Sequence, residues 1–345
     1  MDPPAIAAGV RLLNVAYSPR TGAGKLYQAV QARATELAPG FEPEAGVDLT
    51  FHGGKTIADL TYTNIYLGGQ SKWSQGDVDN IDGALAAAMS DIGLNNMLAQ
   101  YFDGRPPTTT FRPSQFREGQ LHGVIFKDQV EQLVLSAFGE GLFANFDLTS
   151  TVFNFLLPQG IVLSSKTSTG AEAAPGAEGK ADEDEGEGDE LPGELKEEAD
   201  SAHGLGGYHG EVHPGGGAER VYYSVGAFSE HTPSGDNGIV AFAEPWKNVV
   251  ATFYHELVEA RTDPDVEDVH HTADIPLLGW YSLPDGGGEI GDIPVNQAEA
   301  NGGDLSTIFV EIEATTHDRM IPIQLMWSNA VHGPEGPVPE PHPPA

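Results

Sequence analysis

The chain has 345 residues, 39% of them hydrophobic, with 17 Lys and Arg against 51 Asp and Glu for a formal net charge of −34. A surface that acidic repels phosphate backbones and anionic lipid, which argues against nucleic-acid and membrane-surface partners and suits a protein that binds cations. There is no cysteine, so disulfides, thiolate nucleophiles and Cys-type zinc sites are excluded, and any metal must be held by His, Asp or Glu.

The first residues, MDPPAIAAGVRLLNVAYSPR, show no basic segment leading into a long apolar core, so no secretory signal is visible in them. Residues 1–58 are expected to be a partly ordered N-terminal segment. TYTNIY, ahead of Leu67, predicts a strand ended by Gly68 and Gly69. Val78, Ile81, Leu85, Met89 and Ile92 recur at helical spacing, and a second helix is expected around Leu94, Leu98, Tyr101 and Phe102. Asp128 to Phe138 predicts another helix, and FNFLLPQGIVL, Phe153 to Leu163, one or two buried strands. Residues 171–200 carry thirteen acids, two lysines and no aromatic residue. They hold too little apolar surface to offset the entropy of ordering, so a disordered insertion is expected there. Strands are expected at Val221–Phe228, Gly238–Phe242, Thr307–Ile312 and Ile323–Trp327, with a Pro-rich, extended tail over 333–345. Helices and strands interleave without a regular βαβ rhythm, which predicts one mixed α/β (α+β-like) domain over 59–330, interrupted by the insertion.

Pro245 suits a first helical turn, and the helix it opens runs to about Arg261. Within it, FYHELVEARTDP sets His255, Glu256 and Glu259 among Val249, Val250, Phe253, Leu257 and Val258. A buried carboxylate is costly unless it is paired or holds a metal. His255 and Glu259 are four apart, share one helix face and can share one cation, while Glu256 stands one step round. That is the geometry of the H-E-x-x-H zinc hydrolases, whose middle Glu takes a proton from metal-bound water. Here the second His is a carboxylate, which zinc also accepts and which makes bound water less acidic. The alternative is an amphipathic helix whose polar residues merely reach solvent.

A catalytic zinc site needs a third protein ligand. GWYSLPDGGGEIGD supplies Glu289 and Asp292 as alternatives on a Gly-rich loop, against a reading of both as surface carboxylates. HGLGGYHGEVHP supplies His203, His209 and His213, of which His209 lies nearest a following strand. Asp263, Asp265 and Glu267 begin like a calcium loop but lack its turn glycine, and His270-His271 reads best as an exposed pair. No serine stands in a G-x-S-x-G setting.

HELVEARTDP, followed by GWY and GEIGD, resembles a group of bacterial H-E-x-x-E proteins, related to the plant exordium (phosphate-induced protein) family and regarded as zinc metallopeptidases. NIYLGG, FNFLLPQGIVL, GGYHG and QLMWSNA extend the likeness over Asp59 to Ala330. The resemblance implies a zincin-like metallopeptidase domain with a mixed sheet and an active-site helix, His255 and Glu259 as metal ligands, Glu256 as general base, and Glu289 or Asp292 as the further ligand. Relatives often carry a cysteine just after GEIGD, where this chain has Ile293-Pro294. The expected function is a zinc-dependent peptidase acting on peptide or protein substrates, with calcium as a further structural ion. The alternatives are a non-catalytic exordium-like binding or signalling protein, braced by a metal or by an Arg261–carboxylate cluster, and a calcium-binding surface protein.

Overall fold

The computed structural model describes residues 37–168, 199–315 and 319–345, apart from the side chains of 270 and 271. The expected N-terminal segment up to residue 36, nearly all of the acidic insertion and the His270-His271 side chains lie outside the described residues.

The centre is a five-stranded sheet of β1 (Asp59–Leu67), β2 (Thr108–Arg117), β3 (Thr151–Leu156), β4 (Gly207–Val212) and β5 (Val221–Gly226), in the order β2-β1-β3-β5-β4. β2, β1, β3 and β5 are parallel, and β4 closes one edge antiparallel to β5. Every residue of β3 and of β5 is buried, as expected of parallel strands covered on both faces. The side chains divide by parity. Tyr62, Tyr66, Val152, Leu156 and Tyr222 face α1 (Gln75–Met89) and α4 (Pro245–Thr262). Ile65, Phe153, Phe155, Tyr223 and Val225 face α3 (Lys127–Gly139). Between them in sequence, α2 (Ile92–Leu98) follows α1 after a break at Asp91, whose carboxylate accepts the Leu94 N–H.

Helix α4 is buried on nearly its whole circumference from Asn248 to Thr262, the condition of a helix enclosed by other elements. It is packed against β4, β5 and α1 and against the hairpin of β6 (Phe309–Glu313) and β7 (Met320–Gln324). Two short helices follow it, α5 (Val266–Thr272) and α6 (Asp292–Ala300). No helix among the described residues is long and apolar enough to cross a membrane.

The expected helices and most of the expected strands are present within a few residues. Gly238–Phe242 is not a strand. Gly238 takes φ +78°, and the N–H groups of Ala241 and Phe242 donate to the Asn248 side chain, so that segment is tied to the start of α4 instead of to a neighbouring strand. Two strands of the main sheet, β2 and β4, stand where the sequence carries little apolar signal. The run from Ile323 to Trp327 divides into β7 and a separate strand, β8 (Met326–Ser328), paired with β9 (Gly333–Glu335).

A polar row crosses the sheet beneath α4. Ser224, Asn154 and Asn64 are register partners. The Ser224 hydroxyl donates to Asn154 Oδ1 (2.8 Å), Asn154 Nδ2 to Asn64 Oδ1 (2.9 Å), and Asn64 Nδ2 to Asp82 on α1 (2.8 Å). Every donor in the row points toward the Asp82 carboxylate, which fixes the register by hydrogen bonding as well as by burial. The next register partner beyond Ser224 is His209.

The C-terminal tail is extended and docked. The N–H groups of Val338, His342 and Ala345 donate to Gly93, Asn96 and Gln100, each at 3.0 Å. His342 Nε2 lies 2.8 Å from the buried Glu335 carboxylate, and Val338 is fully enclosed. Removing residues 337–345 should therefore lower stability by about 2–4 kcal/mol, from one buried valine and its backbone hydrogen bonds. Chemical unfolding of the truncated chain checks this, and an unchanged midpoint would mean the tail only rests on the surface.

Candidate metal centre

The site grows from one helix turn. On α4, His255 Nε2 lies 2.9 Å from Glu259 Oε2, the pair that the four-residue spacing predicts. His255 Nδ1 lies 2.9 Å from Gln324 Oε1 at the end of β7. Gln324 Nε2 donates to the Gly291 carbonyl, and the Gly291 N–H donates to Glu259 Oε1 at 3.0 Å. His255, Gln324, Gly291 and Glu259 thus form a closed ring that orients both members of the helix pair. The amide oxygen of Gln324 only accepts, so Nδ1 carries a proton; burial favours a neutral ring, but the Glu259 carboxylate outweighs it and raises His255 well above the usual imidazole range, so Nε2 also carries a proton toward Glu259 unless a metal takes that position.

Edge strand β4 brings the second imidazole. His209 is buried, with Nδ1 3.6 Å from Glu256 Oε2 and 3.7 Å from Glu259 Oε2. Its other nitrogen, Nε2, lies 3.2 Å from the Asp263 carbonyl oxygen, which can only accept. Nε2 therefore carries a proton, and Nδ1 faces the two glutamates. Both histidines have the outer nitrogen tied to an acceptor and the inner one directed at Glu259, the arrangement by which surrounding groups orient metal ligands.

The two loop carboxylates flank this centre on opposite sides. Glu289 is buried with Oε1 3.4 Å from His209 Nε2, yet that oxygen makes no hydrogen bond. Asp292, the first residue of α6, is half exposed and 3.6 Å from His255 Nε2. Two sets of three ligand atoms lie within 4.8 Å of one another here, His209–Glu259–Glu289 and His255–Glu256–Glu259. The buried His/Glu groups can therefore coordinate a divalent metal. A cleft of about 310 Å³ reaches them, lined in part by Lys127, Tyr208, His209, Glu256 and Glu289.

Glycine makes room for these carboxylates. A Cβ on Gly291 would fall 2.5 Å from His255 Nδ1 and 2.9 Å from Glu259 Oε1, and one on Gly207 would fall 3.0 Å from Glu256 Oε1. Both positions let backbone approach the ionisable groups more closely than any side chain permits.

Charge is out of balance. Glu256, Glu259, Asp263 and Glu289 are all buried and face two imidazoles. Burial lifts Glu289 well above the usual carboxylate range, with Glu259 and Asp263 adding to it, and burial lifts Asp263 to about 7. Burial also raises Glu256, although the His209 contact opposes it. Burial would raise Glu259 too, but His255 outweighs it and holds that carboxylate below its ordinary value. For His209, burial favours the neutral ring but the Glu256 and Glu259 carboxylates win, placing it at about 9. This excess of acid is relieved either by protonating Glu289 and Asp263 or by a bound cation.

Arg261 does not supply it. Its guanidinium is fully buried and donates to the Thr108 carbonyl, the Thr109 hydroxyl and Asn95. The Arg261–carboxylate brace expected as an alternative is therefore not formed with the site glutamates. Asp263, Asp265 and Glu267 have separate partners as well: the Gly279 N–H, the Tyr222 hydroxyl and Lys127. His203 is exposed and paired with Asp200. Gln324, Gly291 and Gly207 escaped the sequence reading as members of the site. The only signal for Gln324 was a polar residue closing the otherwise apolar run MIPI.

Comparisons with family models, curated proteins and solved structures return no match for this chain.

Gln324→Leu should remove the tie on His255 Nδ1 and weaken binding of a divalent metal about 10–100-fold, the usual cost of losing a group that orients a ligating imidazole. Competition against a chromogenic chelator measures it, and unaltered affinity would deny Gln324 that role.

Proposed function

We propose that this protein is a zinc-dependent peptidase, with His255 and Glu259 as ligands, His209 or Glu289 as the further ligand beside Glu259, and Glu256 as the general base. The observation that carries this reading is the pair of inward-facing imidazole nitrogens, each set by an acceptor on the ring's far side, converging on one glutamate with a second beside it. The N,N,O donor set is one that zinc takes in hydrolytic centres, and the unpartnered Glu289 Oε1 stands ready as a further oxygen. The resemblance of HELVEARTDP and GEIGD to the exordium-related bacterial proteins agrees with this assignment and supplies no geometry of its own.

A bound zinc ion supplies a Lewis acid that polarises a peptide carbonyl and acidifies water. The rest falls to the chain. Glu256, raised by burial, is a better proton acceptor than an exposed glutamate, takes a proton from the attacking water and returns it to the leaving amine. Gln324 and Gly291 keep His255 and Glu259 fixed. The cleft that reaches these groups is lined by residues of β4, α3, α4 and α5 and by Asp292.

Glu256→Gln keeps the shape of the side chain and removes its basicity, so it should cut hydrolysis of a peptide library by at least about 10²–10⁴-fold while zinc content stays near that of the wild type. His255→Ala should lose zinc together with activity. Full turnover by the Glu256→Gln variant would rule out the mechanism. Zinc-replete protein that cleaves no peptide would instead assign the centre a structural role, as in the non-catalytic alternative.

A further inference from the structure

Beyond His209, the same face of β4 carries a second convergence. Side chains alternate along extended backbone, so Glu211 on β4 and His213, the extended residue just past its end, project to the side that His209 does, the nearer about 6–7 Å further on. One ligand atom from each of Glu211, His213 and Asp268 on α5 lies within 4.8 Å of the other two. Each has its outer atom engaged. Glu211 Oε1 accepts the Asp268 N–H at 2.7 Å. His213 Nδ1 lies 3.1 Å from the Gly217 carbonyl, which fixes the proton there and leaves Nε2 for Asp268 Oδ1 at 2.8 Å. Arg220 grips Asp268 Oδ2 at 2.6 Å and reaches Asp265 at 3.2 Å.

An ion network of His213, Asp268 and Arg220 would account for those three residues alone. It leaves Glu211 unexplained. That carboxylate is 3% exposed, and its Oε2 makes no hydrogen bond. A buried carboxylate oxygen without a partner is expensive. Arg220 is already shared between Asp265 and Asp268, and Lys127 is taken by Glu267 at 2.6 Å. The cationic side chains beside Glu211 are thus committed elsewhere.

We propose that Glu211, His213 and Asp268 hold a second zinc ion, separate from the His255 centre, that ties β4 to α5. Arg220, Gly217 and the Asp268 N–H then serve as outer partners, as Gln324 and the Asp263 carbonyl do for the two histidines of the first centre. The donor set, one imidazole and two carboxylates, is within zinc's range. The ligands come from the end of β4, the residue after it and α5, so the ion braces the strand that carries His209.

The test is zinc stoichiometry of the untagged full chain, stripped of metal and dialysed against zinc, read by plasma mass spectrometry. The wild type should bind two equivalents. Glu211→Gln and, separately, His213→Gln should each bind one. The double variant His255→Ala/Glu259→Gln should also bind one, which His213→Gln then removes. His213 is 30% exposed, so its substitution leaves the fold intact even if Glu211→Gln does not, and far-UV circular dichroism confirms each. A wild-type count of one that is lost in His255→Ala but unchanged in His213→Gln would overturn the second site and leave the first standing. A count of one that survives His255→Ala but is lost in His213→Gln would do the reverse. Two equivalents retained by both β4 variants would also overturn it.

Discussion

The constraint on which the rest depends is the burial of two carboxylates on adjacent turns of one enclosed helix. Glu256 and Glu259 could not remain ionised in an apolar interior without nearby positive or polar groups. The surrounding elements are arranged to provide them. β4 delivers His209, β7 delivers Gln324, and the turn before α6 brings the Gly291 N–H within 3.0 Å of Glu259. Gly207 and Gly291 follow from the same demand, because a Cβ at either would occupy the space the carboxylates and His255 need. Gly291 of GEIGD leaves the space that His255 and Glu259 occupy, and Gly207 of GGYHG leaves room for the Val225 carbonyl and for Glu256.

Placing His209 correctly is a matter of strand register. A slip of one residue along an edge strand turns every side chain to the opposite face. Here the antiparallel pairing sets His209 opposite Ser224, and Ser224 is fixed in turn by Asn154, Asn64 and Asp82 across three further elements. Buried Asn and Ser in the middle of a sheet sacrifice apolar contact. In exchange, the row gives the sheet a polar registration line running beneath α4 and ending one strand short of the imidazole. A two-sided apolar sheet has no comparable mark to stop a slip.

How much of this was legible in the sequence depends on how far apart the interacting residues are. His255 and Glu259 were readable because helix geometry places residues four apart together whatever the rest of the chain does. The strand TYTNIY and the periodic helices were readable for the same local reason. β2 was not, since TTTFRPSQFR is polar, carries a proline and lies at the sheet edge, where propensity says little. β4 was not, because GYHGEV has two glycines and an ionisable residue at alternate places; it is a strand by virtue of its pairing with β5. Gln324 lies 69 residues from its partner His255, and no local pattern encodes that meeting. The predicted strand at Gly238–Phe242 failed in the opposite sense. Its apolar residues looked like strand, but Asn248 claimed their backbone donors.

The segment H-G-E-V-H, His209 to His213, brings these points together. In a flexible tract its residues would be unrelated. In an extended strand, period two lines up His209, Glu211 and His213 on one face. That face looks toward α4 at its first member and toward α5 near its last, so one short edge strand serves two clusters of opposite demand. Around His209 the helix supplies the carboxylates and the strand supplies the nitrogen. Around Glu211 the strand supplies both nitrogen and oxygen, and α5 adds Asp268. Hydrogen bonds alone can settle His255 and Glu259, as the ring through Gln324 and Gly291 shows. They leave Glu289 Oε1, 3.4 Å from His209 Nε2, and Glu211 Oε2 without a hydrogen bond. Each of these acceptors belongs to a group whose ligand atoms could hold a divalent metal, one at either end of the H-G-E-V-H segment.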